Sequence, residues 1–466
     1  MPGIVAAAAY VPRYRLPREL IAREWGRQSA GGEKAVANHD EDSLTLAVSA
    51  ALALEEQGER PDGLFFATTT SPYTEKQGAA TIAVVLDLPS ETRTADFADT
   101  LRAGTSALLA GLDALAGGAR RVLVAAGDCR LGEPDSIAEQ GYGDAGAAVL
   151  LGGGAGRAEV IATHSIADEF LGTWRTREQE FPKSVPGAFE ARYGYGRVLG
   201  EALKGVLARA KVSPEALATV ILPTPSPRAP QTIVQALGLD AKRQLQDSFW
   251  TTLGDTGAAQ PLLMLAAALE RAKAGDLVLV AGYGDGADAL LLRVTAPAAG
   301  AGPTVSQQIE VKRTLPSYGR YARLRKLVRK ETVASDPSSA VVMFRDRKEL
   351  LPLYGGKCPR CGTVQFPKHR ACIECAHPGG LEEVKLARRG RLFTFTNDYL
   401  FESPDPPTAH AVVDLEGGGR LYCQLTDCEP ERVEIDMPLE LTFRRIHEGG
   451  GFNNYFWKAR PALAGS

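Results

Sequence analysis

Cys358, Cys361, Cys372 and Cys375 form two C-x-x-C knuckles, C-P-R-C and C-I-E-C, with ten residues between them. Each knuckle places two thiolates on a tight turn, and two knuckles can close a tetrahedral four-sulfur shell around zinc. Gly362, directly after the first knuckle, suits that turn. The other readings of these thiols are a redox dithiol pair or free core cysteines. A closed four-sulfur shell leaves no coordination position for a substrate. The spacing therefore predicts a structural zinc, not a catalytic one.

The elements that must carry such a site have two textures. The chain has 466 residues, 44% of them hydrophobic, which is enough for two or more domains. Its net charge of −3 supplies no basic field for nucleic acid. The Arg320–Arg329 cluster is local: a solvated helix face, or a contact for an anionic cofactor tail. Seven cysteines, four of them with metal-like spacing, and no signal-like or membrane-spanning apolar run predict a cytoplasmic protein that does not engage a membrane. Gly152–Gly154 and Gly417–Gly419 lack the lysine and the strand–helix setting of a phosphate loop and read as turns.

Up to about residue 300 strands and helices alternate: a helix over Ala47–Leu54, a strand over Gly63–Thr69, a helix over Thr105–Ala116, a buried strand over Arg121–Ala126. A weak internal repeat organises them. Leu101-Arg-Ala-Gly-Thr opens one apolar helix, followed by a strand that ends in Gly127-Asp128. Leu253-Gly-Asp-Thr-Gly opens a second, followed by a strand that ends in Gly282-Tyr-Gly-Asp285. Helices apolar on every side are buried between layers. A duplicated half with a central buried helix predicts an α/β protein of five layers, α/β/α/β/α. Residues 300–350 turn to Pro, Ser and charge, with one amphipathic segment, Tyr318–Val333, read as a docking helix. Beyond the knuckles, Gly390–Tyr399, Ala409–Asp414, Arg420–Thr426 and Leu439–Arg445 read as short strands of a small closed barrel. Its aromatics Phe393, Phe395 and Tyr399 are expected in core packing. The resulting division is 1–330 (halves 1–160 and 161–300 plus the docking helix), a 331–350 linker, a 351–383 zinc ribbon and a 384–466 barrel.

On these stretches the chain resembles a known pairing. Asp40-Glu-Asp-Ser-Leu-Thr-Leu-Ala, Ser71-Pro-Tyr, Arg102-Ala-Gly-Thr, Gly141-Tyr-Gly-Asp-Ala-Gly-Ala-Ala and Ala281-Gly-Tyr-Gly-Asp-Gly-Ala resemble the thiolase superfamily, nearest to hydroxymethylglutaryl-CoA synthases and ketoacyl synthase III. Both knuckles, Gly390-Arg-Leu-Phe-Thr-Phe-Thr, Cys423-Gln-Leu-Thr-Asp-Cys and Tyr455-Phe-Trp-Lys-Ala-Arg-Pro resemble the DUF35 family, a zinc ribbon followed by an OB-fold. The resemblance implies an acyl-CoA substrate and a homodimer. It also exposes departures. Leu101 stands where the family has its nucleophilic cysteine, Thr69 where it has the synthase glutamate, Pro223 or Thr224 where it has the histidine, and Asp255 where it has the asparagine. A leucine cannot be acylated, because covalent chemistry needs an activated nucleophile. Cys129, the one thiol before the knuckles, falls outside the helix-opening turn and reads as a plain buried cysteine. His39 and His164 match no family position and read as loop or surface residues.

What remains is enolate chemistry. Main-chain N–H groups at Gly104, Gly284 and Gly286 are the expected contacts to the acyl-CoA; one oxyanion donor is worth about 2.7–4 kcal/mol. Cleaving a β-hydroxyacyl-CoA needs a base and an enolate hole but no nucleophile. The base candidates are Asp255 (alternatively a helix N-cap), Tyr283 and Asp285 (alternatively loop packing), Asp99 (a turn residue) and Tyr73 (packing). Asp255→Asn is expected to lower turnover and spare folding. Three readings follow: an aldolase-type lyase without a covalent intermediate, a condensing synthase with an unrecognised nucleophile, and a non-catalytic acyl-CoA scaffold.

Overall fold

Runs such as Val122-Leu-Val-Ala-Ala and Leu277-Val-Leu-Val-Ala have no polar face, so they are stable only as strands covered on both sides. In a computed structural model of the chain, which describes residues 2–462 apart from 56, 58, 155, 298–301, 329–337 and 402, these runs join one nine-stranded sheet. Its strands are β1 (Pro2–Tyr10), β2 (Gly63–Ala67), β3 (Arg93–Phe97), β4 (Arg121–Cys129), β5 (Asp144–Gly153), β6 (Ala158–Ala167), β7 (Thr219–Ile221), β8 (Leu277–Tyr283) and β9 (Gly286–Val294). Their order is β7-β8-β9-β6-β1-β5-β4-β2-β3. The halves meet where β1, paired along its length with β5, also pairs with β6 through Gly3 and Ile4.

The helices complete the layers. α1 (Ser43–Leu52), which starts at an Asp42–Thr45 capping box, covers β4 and β5 on one outer face. On the other, α3 (Gly200–Ala210) covers β6 and β9. Between the halves lie α2 (Ala103–Ala116) and α4 (Gln260–Leu269). All ten residues of α4 are buried, as a helix apolar all round must be. The architecture is the five-layered thiolase-like α/β fold. Boundaries moved by a few residues: α1 begins at Ser43 and β4 runs on to Cys129.

The chain divides into two compact units. One comprises Met1–Ala37, Asp42–Ala83 and Leu88–Tyr321; the other comprises Asn38–Glu41, Val84–Asp87 and Ala322–Ser466. In the second, the knuckles sit on a three-stranded sheet with Tyr354–Lys357 between Val364–Gln365 and Glu382–Lys385. A five-stranded sheet follows, ordered Arg420–Gln424, Thr408–Leu415, Arg389–Asp398, Pro438–Gly449, Phe452–Pro461. A bridge from Leu425 to Ala459 closes it as the OB-fold barrel. The last strand was not expected. Phe393 points outward by strand alternation with buried Leu392, and Tyr399 lies just past the strand, so both are exposed, not core; the Arg420 guanidinium lies 3.6 Å over the Phe393 ring. Of the expected linker, 331–337 lies outside the described residues and Ala340–Arg345 and Arg347–Leu350 are helical. Of the expected docking helix, Tyr318–Leu324 is helical and 329–333 lies outside them.

Candidate active site

The two central helices open against each other. A Cβ on Gly104 would stand 2.2 Å from the Ala258 carbonyl oxygen, so this glycine lets the two openings touch. Each opening is pinned by a buried carboxylate. Asp288, from β9, accepts from Thr105 Oγ1 (3.0 Å) and Ser106 Oγ (2.9 Å) and pairs with Arg102 (3.3 Å) at the start of α2. Asp128, from β4, accepts from the Ala258 main-chain N–H (2.7 Å) before α4. It also accepts from Thr68 Oγ1, Thr69 N, Thr69 Oγ1 and Thr70 Oγ1 at 2.7–3.0 Å. Thr69, in the synthase glutamate's place, is therefore committed to an architectural carboxylate.

Leu101 lies in the turn before α2, facing the end of β8. Thr100 Oγ1 donates to the Gly284 carbonyl (3.1 Å), and a Cβ on Gly284 would meet Leu101 N at 3.0 Å. Among the described residues, no acceptor is bonded to the N–H of Leu101 or Arg102. The Gly284 N–H, by contrast, is taken by the Gly286 carbonyl. Gly286 serves close packing, since a Cβ there would meet Ile166 O at 2.0 Å. The donors at this junction come from the helix turn.

Asp255 is buried just ahead of the 3-10 turn Gly257–Ala259 that leads into α4. Its Oδ1 accepts from Gly257 N (2.9 Å), a capping contact, while Oδ2 pairs with the guanidinium of Arg130. Burial opposes the charge on Arg130, but Asp255, Tyr142 and Asp128 outweigh it and hold the guanidinium's pKa above its ordinary value. The Tyr142 ring lies 3.7 Å beneath that cation. The expected bare carboxylate is thus half of a buried ion pair. Tyr283 is buried edge-to-face on Tyr195, with centroids 5.3 Å apart, and burial together with Glu190, Asp168 and Asp285 raises its pKa. Asp285 and Asp99 are exposed in left-handed turn positions (φ 49° and 69°). Tyr73 is half-buried under the Lys76 ammonium. The structure buries Asp255 and Tyr283, both within the electrostatic reach of Glu190, and leaves Asp99 and Asp285 at the surface.

Glu190 was not singled out in the sequence. It opens a ten-residue π-helix, Glu190–Leu199, a rare element that concentrates at functional sites. Burial raises its pKa, Asp255 adds to this, and Arg130 opposes it. Two deeply buried polar atoms that follow Asp255 in the chain, Thr256 Oγ1 and Gln260 Nε2, have no hydrogen-bond partner among the described residues. Thr224, which with Pro223 is one of the two residues expected in the family histidine's place, is tied to Gln260 Oε1 (2.9 Å) and Leu222 O (3.0 Å). Both upstream histidines are half-buried, His39 in the expected loop and His164 on a strand. His164 is on β6 with Nδ1 buried and unbonded. His39 is pushed down to about 4 by burial, opposed by Asp40 and assisted by Lys458, Arg444 and Arg445. Cys129 is half-buried at the end of β4, its N–H bonded to Thr70 Oγ1 (2.9 Å).

In the second unit the four knuckle sulfurs lie within 4.8 Å of one another, with Cys358–Cys375 at 3.7 Å and Cys361–Cys372 at 3.5 Å. Sulfurs at about 2.3 Å from a tetrahedral zinc stand roughly 3.8 Å apart, so this shell fits the ion.

Residues 207–294 match the family described as 3-oxoacyl-[acyl-carrier-protein (ACP)] synthase III C terminal, and residues 383–444 match the one described as ChsH2, C-terminal OB-fold domain. The hydroxymethylglutaryl-CoA synthase of Methanopyrus kandleri is 30% identical over 341 residues, covering 70% of this chain and 97% of that protein. The fold is shared with a crystal structure of a hydroxymethylglutaryl-CoA synthase complexed with CoA (TM-score 0.62, 18% identity, 72% of this chain and 92% of that one). It is shared as well with 3-oxoacyl-(acyl carrier protein) synthase III from Pseudomonas aeruginosa PAO1 (TM-score 0.59, 19% identity, 64% and 99%). By sequence and by fold, the chain belongs to the hydroxymethylglutaryl-CoA synthase family of the thiolase superfamily, and it carries a C-terminal OB-fold domain.

Proposed function

We propose that the chain acts on an acyl-CoA in the manner of a condensing enzyme, joining or parting a carbon–carbon bond beside the thioester, with no acyl-enzyme intermediate. The names of its relatives support the condensing class. The observation that carries the non-covalent route is Leu101, a residue without a nucleophile, at the turn where the central helix opens. The N–H groups of Leu101 and Arg102 suit a thioester enolate, whose charge they would stabilise as it develops. Incubation with acetyl-CoA followed by intact-mass analysis should give no acetyl adduct. Incubation with β-hydroxyacyl-CoAs, or with an acyl-CoA and a ketone or aldehyde, should give C–C cleavage or addition products.

A second reading is a condensing synthase with a nucleophile other than residue 101, supported by the names of the relatives; Cys129, half-buried, is the one thiol before the knuckles. An acetyl adduct that Cys129→Ala abolishes would establish it and end the non-covalent reading. CoA binding with neither adduct nor product would leave an acyl-CoA scaffold. The four cysteines would hold a structural zinc and supply no step of the reaction, and the family resemblance supports a homodimer.

A further inference from the structure

We propose that Glu190 is the catalytic residue that takes the proton from the β-hydroxyl of a 3-hydroxyacyl-CoA, or returns it in the bond-forming direction; this rests on the reaction class proposed above. The sequence resemblance points to other positions, and the assignment stands on placement. Glu190 is the first residue of the π-helix, on the segment that runs from β6 back over the site. That segment is fastened at three points: Arg197 to Asp168 (2.7 Å), Arg175 to the Thr69 carbonyl (3.1 Å) and Lys183 to Glu133 (2.7 Å). The Thr69 tie anchors it to the stretch held by Asp128.

The charges of Asp255 and Arg130 act on the Glu190 carboxyl, and its own charge acts in turn on Tyr142 and Tyr283. Glycines keep the space around them: a Cβ on Gly172 would meet Glu190 Oε1 at 3.1 Å, and one on Gly194 would meet the Tyr283 hydroxyl at 2.3 Å. Among the described residues neither the Glu190 carboxyl nor the Tyr283 hydroxyl has a hydrogen-bond partner, although Asp255, Asp128 and Asp288 are all bonded. The carboxyl is thus unbonded within the field of a fixed ion pair, on the same π-helix as Gly194, over which the second unbonded group, the Tyr283 hydroxyl, lies. Its raised pKa suits a base that works near neutrality.

The step balances without a co-reactant. The Glu190 carboxylate takes the hydroxyl proton, the O–H electron pair becomes the new carbonyl π-bond, and the Cα–Cβ pair passes into the thioester enolate. The proton now on Glu190, or one from water, then reaches the enolate carbon. Addition runs the same path backwards.

The test separates this assignment from the reaction class by measuring binding and turnover independently. By calorimetry, the full chain should bind 3-hydroxybutyryl-CoA about tenfold more tightly than butyryl-CoA, the worth of one charged hydrogen bond. Glu190→Ala should bind butyryl-CoA as before, which certifies its fold, and lose that preference. Glu190→Gln should lower kcat by about a hundredfold or more and remove the acidic limb of the pH–rate profile. The exposed neighbour Glu180→Gln should change neither. A preference erased in Glu190→Ala, with no C–C turnover in the unmodified chain, would retire the reaction class and the proton transfer with it, and keep Glu190 only as the residue that binds the β-hydroxyl. A preference absent from the unmodified chain or surviving in Glu190→Ala, or an unchanged kcat in Glu190→Gln, would overturn the assignment.

Discussion

Asp255 shows how a residue can be legible in a sequence while its partner is not. Its place before an apolar helix marked it as a base or a cap, and it does make the capping contact to Gly257. Arg130, 125 positions away, carried no signal that would pair the two. The pairing changes what a mutation does. Asp255→Asn leaves a buried guanidinium facing an amide, so we expect a loss of about 3–5 kcal/mol in place of an intact fold. Urea unfolding should register that loss, and adding Arg130→Met should recover much of it, since a buried pair is replaced at lower cost than half of one. A single variant that unfolds at the original midpoint would show the pair to be idle. Glu190 was invisible for a related reason: no residue pattern marks a π-helix. The available signal was the tripeptide Gly-Tyr-Gly, which occurs at 141–143, 194–196 and 282–284. Each of its tyrosines is buried in a ring contact: Tyr142 under Arg130, Tyr195 against Tyr283.

At the scale of elements, apolar runs and the internal repeat were enough to place the central helices and the strands that follow them, because burial on all sides leaves few other folds for such segments. The barrel's last strand was missed: Asn453, Asn454 and Lys458 dilute its apolar alternation, although Trp457 and Ala459 are fully buried. What periodicity cannot carry is which helix touches which. Asp128 belongs to the first half and holds the opening of the second half's helix; Asp288 belongs to the second half and holds the opening of the first's. Gly104, expected to contact acyl-CoA, is where those openings meet. Gly104→Ala pushes a methyl into the Ala258 carbonyl, and neither backbone can yield without moving its helix. We expect a cost of about 1–3 kcal/mol in stability, read as a lower thermal midpoint. An unchanged midpoint would mean that the helices part freely.

At the scale of the molecule, the second unit depends on two devices that hydrophobic burial alone does not supply. One is the cysteine shell. Cys372→Ser or prolonged chelation should reduce bound zinc to background and unfold the ribbon, because metal affinity and folding are a single equilibrium in such sites. Retained far-UV signal and protease resistance after verified metal loss would contradict this. The other is a buried charge cluster: Arg444 pairs with Asp40 (3.1 Å), Glu41 (2.7 Å) and Asp427 (2.6 Å), and Lys458 pairs with Asp40 (2.9 Å). His39, at its edge, is held neutral down to about 4, against 6.5 when unfolded. The unfolded chain therefore binds a proton below pH 6.5 that the folded chain refuses. Stability is full above that value and erodes toward pH 4, at up to about 1.4 kcal/mol per pH unit. His39→Gln should flatten this limb in denaturation midpoints measured across pH 4–7, and an unaltered slope would assign the limb to other groups.

Asn38–Glu41 lie about four hundred residues upstream of the arginine and lysine whose charges they neutralise. A gene divided after Tyr321 would encode a knuckle-and-barrel polypeptide deprived of Asp40 and Glu41, its arginine and lysine sealed away from water and short of counter-ions.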